Sequence, residues 1–211
     1  MTTAPMPSEM PIRDFLEAIA SGEGIHGAVS AATVAGGIGT SILRMVAVMP
    51  KRTSIAPHDW ATLVNAATGL TELQQQLFEA IETETAVKIF AARNMPQSSE
   101  AQRTERHAAL QLALRAAADV PLEIMRLCGC GLKYAETIAR CSARAASGDV
   151  QMAITLLQAG FNGARANLEA KLGSLADAAY VTSVVDQIAR LSEEAEMTAR
   201  VAGSHVQPPT A

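Results

Sequence analysis

The chain has 211 residues, of which 49% are hydrophobic and 3% aromatic, so it is long enough to form one domain with a sizeable core. Alanine and aliphatic residues are spread through long stretches with few prolines, which favours helices over strands. A net charge of −4 supplies no basic stripe for nucleic-acid phosphates, so no nucleic-acid partner is expected.

Two helices are predicted in the first fifty residues. Apolar side chains at i, i+3, i+4 and i+7 from Ile12 to Ile19 predict a short amphipathic helix that ends at Gly22. A second helix is predicted from about residue 30 to residue 49. Its three glycines between residues 36 and 39 indicate that a neighbouring backbone approaches closely, because a glycine presents no side chain to hold that neighbour away.

Most of the second helix lies in a segment without Asp, Glu, Lys or Arg, over residues 24–43, which is long enough to cross a bilayer. The segment is rich in Gly, Ala, Ser and Thr, so its transfer into lipid is weakly favourable, and a buried core helix is predicted instead of a membrane span. The N-terminus lacks the cationic and apolar pattern of a secretory signal. A cytoplasmic protein that binds no membrane is expected.

Three further signals divide the middle of the chain. A helical stripe runs from Leu63 towards Phe90 and predicts a long third helix. Residues 99–102, Ser-Glu-Ala-Gln, match a capping box that opens a fourth helix, which is predicted to continue through Ala118. Pro121 is predicted to kink the chain or to start a new helix.

The C-terminal part predicts two more helices, one from about residue 150 to 172 and a last one that begins at Asp177. Together these elements predict an all-α fold, an antiparallel bundle of about six or seven helices in a single domain. The domain is expected to span residues 11–203, between a flexible N-terminus over residues 1–10 and a disordered tail over residues 204–211.

The three cysteines, Cys128, Cys130 and Cys141, are an odd number and form no CxxC pair. Reduced, buried, structural thiols are therefore predicted, with Cys128 and Cys130 on different sides of a helix because residues two apart do not share a face. The sequence contains no metal, nucleotide or haem motif, and no metal ligands are predicted.

Several segments resemble the cyclodeaminase/cyclohydrolase family, which includes the C-terminal domain of formiminotransferase-cyclodeaminase and the methenyltetrahydrofolate cyclohydrolases. Residues 14–22 (Asp-Phe-Leu-Glu-Ala-Ile-Ala-Ser-Gly) resemble the family's opening, residues 115–123 its alanine run followed by Val-Pro-Leu-Glu, and Asn167 with residues 172–177 its Asn-Leu-Lys-Ser-Leu stretch. The likeness covers residues 11 to about 200 and indicates a divergent member. It implies a helical homodimer that acts on a tetrahydrofolate derivative as substrate and binds no prosthetic group.

The family's reactions concern the 5,10-methenyl bridge of tetrahydrofolate, which is hydrolysed to 10-formyltetrahydrofolate or formed from 5-formiminotetrahydrofolate with loss of ammonia. Both involve a cationic amidinium, beside which a carboxylate can stabilise charge and transfer a proton. The family's Ser-Asp pair falls on Gly148 and Asp149, so the resemblance implies Asp149 as the catalytic acid/base. From its position alone Asp149 is better interpreted as an N-cap residue, and the resemblance makes the two roles about equally supported. The two roles are compatible.

The family's Pro-Thr-Pro-Gly-Gly-Gly-Ser loop falls on the segment that ends at Ser30. Gly27 and Ser30 match it and are implied to bind substrate, whereas Ala28 and Val29 replace two glycines. His26 replaces a family proline and is a second acid/base candidate, since histidine titrates near neutral pH; the alternative is an ordinary polar turn residue.

Lys51, Arg52 and Glu82 complete the predicted substrate-binding set. The resemblance implies that Lys51 and Arg52 pair with the glutamate tail of folate, and the alternative is two solvated cations in a loop. The family's Asp-x-Asp pattern falls on Ala80 to Glu82, so one carboxylate is lost, and Glu82 either replaces a family aspartate or faces water.

Three functional hypotheses follow. The first is a one-carbon folate enzyme, a methenyltetrahydrofolate cyclohydrolase or a formiminotetrahydrofolate cyclodeaminase, which is a hydrolase or a lyase acting on C–N bonds. The second is a non-catalytic helical binding or scaffold descendant of that family. The third is an enzyme of the same fold that acts on another substrate.

Overall fold

The computed structural model describes residues 10–21, 27–49, 56–81, 85–142 and 144–206. The described residues contain helices and no strand, which confirms the predicted all-α bundle of six or seven helices. The helices are α1 (Ile12–Ser21), α2 (Gly27–Val48), α3 (Pro57–Ile81), α4 (Thr85–Arg93), α5 (Glu100–Cys141), α6 (Ser147–Leu172) and α7 (Ala178–His205), with a 3₁₀ turn over Arg144–Ala146 before α6.

Helix α2 lies at the centre of the bundle and packs on α3, α5 and α6, while α7 packs on α5 and α6. Helices α3 and α6 run antiparallel to α2. Helix α5 runs parallel to α2, because it is antiparallel to α6. The core is almost wholly aliphatic, which explains the scarcity of aromatic residues. Its largest fully buried side chains are Leu43, Leu63, Leu70, Leu77, Ile124, Met125, Leu132, Ile138, Ile154, Leu157, Leu168 and Val46.

The glycines of α2 bring α5 and α6 into close contact with it, as predicted. A Cβ added at Gly36 would lie 2.9 Å from the Cys128 sulfur, and one at Gly39 would lie 2.9 Å from Cγ of Leu157. From the other side, a Cβ at Gly160 would lie 2.7 Å from the carbonyl oxygen of Ala32. Glycine therefore appears at these positions because the backbones of α2 and α6 approach too closely for a side chain.

Helix α5 is one continuous helix of 42 residues through Pro121, so the prediction that a new helix starts at this proline is wrong. Proline lacks an N–H group and cannot donate to the carbonyl oxygen four residues earlier, that of Ala117. The ammonium of Lys171 in α6 donates to this oxygen at 3.0 Å and supplies the missing hydrogen bond. The compensation comes from another helix, so the local sequence does not reveal it.

One other boundary differs from the prediction. The stripe from Leu63 to Phe90 is helical over α3 and over α4, and residues 82–84 between them lie outside the described ranges. Helix α7 continues to His205, two residues beyond the predicted domain end at residue 203. The predicted flexibility of residues 1–9 and of residues 207–211 lies outside the described part.

The predicted caps are confirmed. The backbone N–H of Gln102 donates to Ser99 Oγ at 3.2 Å, and the backbone N–H of Ser99 donates to Gln102 Oε1 at 3.2 Å, which completes the capping box of α5. Asp177 caps α7, because its side chain accepts from the backbone N–H of Tyr180 at 3.0 Å. These pairs satisfy N–H groups that have no partner within their helices.

The cysteines are all reduced, but only one is fully buried. Cys128 lies in the contact of α5 with α2 and α6, where burial raises the pKa of its thiol to about 12. Cys130 is exposed and Cys141 is half-buried, so the prediction of three buried thiols is wrong for these two. The opposite orientation of Cys128 and Cys130 is confirmed.

Candidate functional site

Asp149 lies in the first turn of α6, two residues after the helix begins at Ser147. The N-cap is Ala146, which makes no side-chain capping bond, so the interpretation of Asp149 as the N-cap is wrong. The carboxylate is half-buried, and no hydrogen bond or ion pair joins it to another residue in the described part of the chain. The positive end of a helix dipole is a favourable place for such a negative charge, and the carboxylate is available to a ligand.

Gly27 and Ser30 lie in the first turn of α2. Ser30 is 5% exposed, and a Cβ at Gly27 would make an ordinary contact of 3.5 Å with Ile19 of α1. Val29, between them, is 7% exposed and belongs to the hydrophobic core, so its bulk is directed into the protein. Among the described residues, the polar groups at this helix end include the Ser30 hydroxyl and the backbone N–H groups of the first turn, which have no partner within the helix.

The structure does not bring Asp149 and Ser30 together within one chain. Gly39 is in contact with Ala153 of α6, whereas Ala32 is in contact with Gly160 and Gly163, so the two helices run antiparallel. Asp149 therefore lies beside the C-terminal end of α2 and Ser30 at its N-terminal end. With a rise of ~1.5 Å per residue, this register separates them by about 20 Å along the axis.

A residue near Ser30 was not identified as a site residue in the sequence. Asn167 lies one turn beyond Gly163 on the face of α6 that meets α2, which places it at the level of the first turn of α2. Its Oδ1 is buried without a hydrogen-bond partner in the described part of the chain. A buried amide oxygen without a partner is uncommon and marks a position where a donor from outside can bind. Only the family resemblance, which included Asn167, pointed to it.

Lys171 follows Asn167 by one turn of α6. Burial lowers the pKa of its ammonium, which is held by the Ala117 carbonyl described above. Gly27, Ser30 and Asn167 together form what we call the α2-start cluster, which Lys171 adjoins. Asp149 stands at the opposite end of the α2–α6 pair.

Four of the predicted site residues, His26, Lys51, Arg52 and Glu82, lie outside the described residues. Their roles stay predictions. Among the described residues, no group of three or more His, Cys, Asp or Glu side chains is arranged to hold a metal ion.

Two of the segments that carry the family resemblance contact each other across α5 and α7. Arg115 lies 3.5 Å from the Asp177 carboxylate, and its guanidinium stacks over the Tyr180 ring at 4.2 Å. The Tyr180 hydroxyl donates to Asp119 at 2.6 Å, and burial together with this hydrogen bond raises its pKa. These residues are paired with one another, so they fix the start of α7 against α5 and are not free for a ligand.

These features define a class, a small all-helical bundle with polar groups exposed at helix ends. A family model described as formiminotransferase-cyclodeaminase matches residues 11–190. The chain therefore belongs to the formiminotransferase-cyclodeaminase family, and the resemblance in the sequence is confirmed.

Individual relatives are distant. The chain is 25% identical over 193 residues to the methenyltetrahydrofolate cyclohydrolase of Methylorubrum extorquens, covering 90% of this chain and 92% of that protein. It is 28% identical over 199 residues to formimidoyltransferase-cyclodeaminase of Sus scrofa, covering 90% of this chain but only 35% of the porcine protein. The chain thus spans about a third of that relative's length.

The fold is also that of a solved structure. The crystal structure of formiminotetrahydrofolate cyclodeaminase from Thermotoga maritima superposes with a TM-score of 0.83 at 18% identity, covering 94% of this chain and 96% of that one. At this identity the similarity establishes the shared fold.

Proposed function

We propose that this protein is a one-carbon folate enzyme that hydrolyses the 5,10-methenyl bridge of tetrahydrofolate to the 10-formyl form. The observation that carries the proposal is the family match over residues 11–190 together with a cyclohydrolase relative of nearly equal length. A tetrahydrofolate derivative is the substrate, and a homodimer in the cytoplasm is the predicted state of the enzyme.

Asp149 is the proposed acid/base. The methenyl carbon lies between two nitrogens that share a positive charge, and a nearby carboxylate stabilises this charge before reaction. Water attacks the carbon, a C–O bond forms, and Asp149 accepts the proton of the water. The bond from this carbon to N5 then breaks as N5 takes that proton from Asp149, the remaining hydroxyl proton is released to solvent water as the C=O bond forms, and the carbon becomes the formyl group on N10. Water and one acid/base group are enough for this sequence.

Asp149 and the α2-start cluster lie about 20 Å apart within one chain. In the predicted homodimer, the α2-start cluster of one protomer is the proposed binding surface for the polar edge of a ligand whose methenyl carbon meets Asp149 of the other. The first-turn N–H groups of α2 and the Ser30 hydroxyl are donors, and Asn167 Oδ1 is an acceptor. A reduced pterin has both acceptors and N–H donors along one edge, so this set of groups is complementary to it.

Formiminotetrahydrofolate cyclodeaminase activity is the second candidate, because the solved structure of the same fold carries that activity in its name. The same carboxylate would then transfer a proton to the departing ammonia. The packing of Val29 in the core also favours the second and third hypotheses, a non-catalytic descendant or an enzyme adapted to another substrate, because the loop has lost family glycines there.

The test is the loss of methenyltetrahydrofolate absorbance with purified protein. The wild type is expected to exceed the buffer rate, and Asp149→Asn is expected to lower kcat by about 10²–10⁴-fold, the usual contribution of an acid/base group. Asp186→Asn, at an exposed carboxylate on α7, is the matched control and should retain wild-type activity. A wild-type rate equal to that of buffer refutes the proposed reaction, and an Asp149→Asn variant with full activity refutes the role of the carboxylate.

A further inference from the structure

Hydrogen bonds at two places join the C-terminal end of α6 to α5 in the described part of the chain. The ammonium of Lys171 donates to the Ala117 carbonyl oxygen at 3.0 Å. Just beyond α6, the Gln111 amide donates to the Ser174 carbonyl oxygen at 3.3 Å and accepts from the backbone N–H of Ala176 at 2.8 Å. The Lys171 bond therefore acts on the helix itself, while Gln111 holds the connection that follows it.

Asn167 and Lys171 lie on the same face of α6, one turn apart. This face is marked by Gly160, where an added Cβ would lie 2.7 Å from a carbonyl oxygen of α2 and 3.0 Å from a cysteine sulfur of α5. At ~100° per residue, Asn167 and Lys171 are each rotated by about 20° from Gly160, in opposite directions. Asn167 lies on the side of Gly163, which contacts α2, and Lys171 on the side of α5. The rotation of the helix end thus sets the directions of both side chains.

The Lys171 bond is the directional contact between this end of α6 and α5. Leu168 is fully buried here, but the burial of an aliphatic side chain is non-directional, whereas a hydrogen bond requires alignment. The polar contacts of Arg165 point elsewhere, to Ser192 of α7 at 3.5 Å and to Glu169 of α6 itself at 3.9 Å. The bond from Lys171 therefore fixes the rotation of the helix end relative to α5.

The proline in α5 gives this anchor its acceptor. Because α5 continues through Pro121, the Ala117 carbonyl lacks its usual backbone donor, and its lone pairs are available to a side chain from α6. In an uninterrupted helix this carbonyl would already accept from a backbone N–H group, and a lysine would gain less by reaching it. The position of Pro121 in α5 thus determines where α6 is anchored.

Asn167 Oδ1 is the group whose direction depends on this anchor. It is buried without a hydrogen-bond partner in the described ranges, at the level of the first turn of α2. Hydrogen bonds weaken steeply when the donor and acceptor are misaligned, so a buried acceptor helps a ligand only in a fixed direction. We propose that Lys171 is a positioning residue for the α2-start cluster, because its bond to Ala117 holds Asn167 Oδ1 in line with a donor of the bound folate. This inference rests on the proposed function.

The role of Lys171 is tested by the affinity for 5-formyltetrahydrofolate, a folate without the methenyl bridge, measured by calorimetry. Lys171→Met is expected to raise Kd by about three- to tenfold, the net contribution of roughly one hydrogen bond. It should raise KM for methenyltetrahydrofolate in parallel and leave kcat unchanged, as expected when only binding is lost. An unchanged Kd, or a lower kcat at unchanged KM, overturns the proposal.

Two further variants serve as controls for this measurement. Lys171→Arg keeps a donor that can reach the same carbonyl oxygen, so its Kd should stay within about twofold of the wild type. Lys88→Met removes an exposed lysine of α4 and should leave Kd unchanged. A rise in Kd with Lys88→Met as large as with Lys171→Met would show that net charge is responsible, which overturns the positioning role.

A double-mutant cycle separates action through Asn167 from direct contact of the ammonium with the ligand. If Lys171 acts through Asn167, Lys171→Met should cause no further rise in Kd in an Asn167→Ala background, because the positioned group is gone. If the ammonium binds the folate itself, the two effects on Kd multiply. Multiplying effects therefore overturn the positioning role.

Pro121→Ala separates positioning from stability. It gives the Ala117 carbonyl a backbone donor and so restores the hydrogen bond of α5 without anchoring α6. In the double variant with Lys171→Met, the free energy of unfolding should recover while Kd stays raised. A Kd that returns to the wild-type value together with the stability would show that Lys171 supports only the fold, and this overturns the proposal.

A ligand-free measurement keeps the test independent of the proposed function. The side-chain amide signal of Asn167 in a proton–nitrogen NMR spectrum is assigned by its loss in Asn167→Ala. It should be alike in the wild type and Lys171→Arg, and shifted or broadened in Lys171→Met. An identical signal in the wild type and Lys171→Met overturns the positioning role. A wild type that binds no folate but shows the expected change refutes the proposed function and supports the positioning of Asn167 by Lys171.

Discussion

The hydrogen bond from Lys171 to the carbonyl of Ala117 predicts a coupling between two helices that unfolding experiments can measure. Lys171→Met removes the donor and keeps most of the side-chain volume. The carbonyl, which Pro121 deprives of its usual partner, is then unsatisfied in a buried part of α5. Leaving a buried carbonyl without a donor lowers the free energy of unfolding by about 1–3 kcal/mol. Because Lys171 is only half-buried, we expect Lys171→Met to lower it by about 1–2 kcal/mol.

The coupling partner is Pro121. Pro121→Ala restores a backbone N–H that can donate to the Ala117 carbonyl. In the Pro121→Ala background, Lys171→Met should therefore lower the free energy of unfolding by about 1 kcal/mol less than it does in the wild type, which is the coupling energy of the double-mutant cycle. The assay is urea unfolding followed by circular dichroism, with Lys88→Met on the exposed surface of α4 as the control, expected to change stability by less than about 0.5 kcal/mol. Equal costs of Lys171→Met with proline and with alanine at position 121 would refute the reasoning.

The same lysine predicts a pH dependence. Burial lowers the pKa of the Lys171 ammonium below its ordinary value of 10.5. Between the lowered value and 10.5 the unfolded chain binds more protons than the folded one, so the free energy of unfolding gains a contribution that rises with pH. The difference in stability between wild type and Lys171→Met should therefore increase from pH 7 to pH 10.5. A difference that stays constant or shrinks would show that the ammonium is not desolvated in the fold.

Two further predictions concern the packing around α2. Gly160→Ala places a Cβ against the Ala32 carbonyl oxygen and should lower the free energy of unfolding, measured in urea, by about 1–3 kcal/mol. Gly203→Ala, where a Cβ would meet open space, is the control and should leave this free energy unchanged or raise it by up to ~1 kcal/mol. Equal effects of the two substitutions would contradict the close approach of α2 and α6. Cys130 should react with a thiol reagent at pH 7 in the native protein, whereas Cys128 should react only after unfolding, because burial raises the pKa of the Cys128 thiol to about 12. Rapid modification of both Cys128 and Cys130 in the native protein would contradict this prediction.

Local signals in the sequence were enough to predict most of the fold. The capping box at Ser99, the cap at Asp177 and the apolar stripe after Ile12 act over three to seven residues, so their consequences can be read from neighbouring letters. The continuity of α5 could not be predicted in this way. It depends on Lys171, which is fifty residues beyond Pro121 and reaches the free carbonyl only after α6 has packed on α5.

The candidate site was predictable in composition but not in arrangement. Family resemblance identified Asp149, Gly27 and Ser30 one at a time, since each matches a motif along the chain. The distance between them depends on the antiparallel register of α2 and α6, which the contacts of Gly39 and Gly160 determine. The prediction that Asp149 is an N-cap was wrong because α6 begins at Ser147, directly after the 3₁₀ turn over Arg144–Ala146, and not after Gly148.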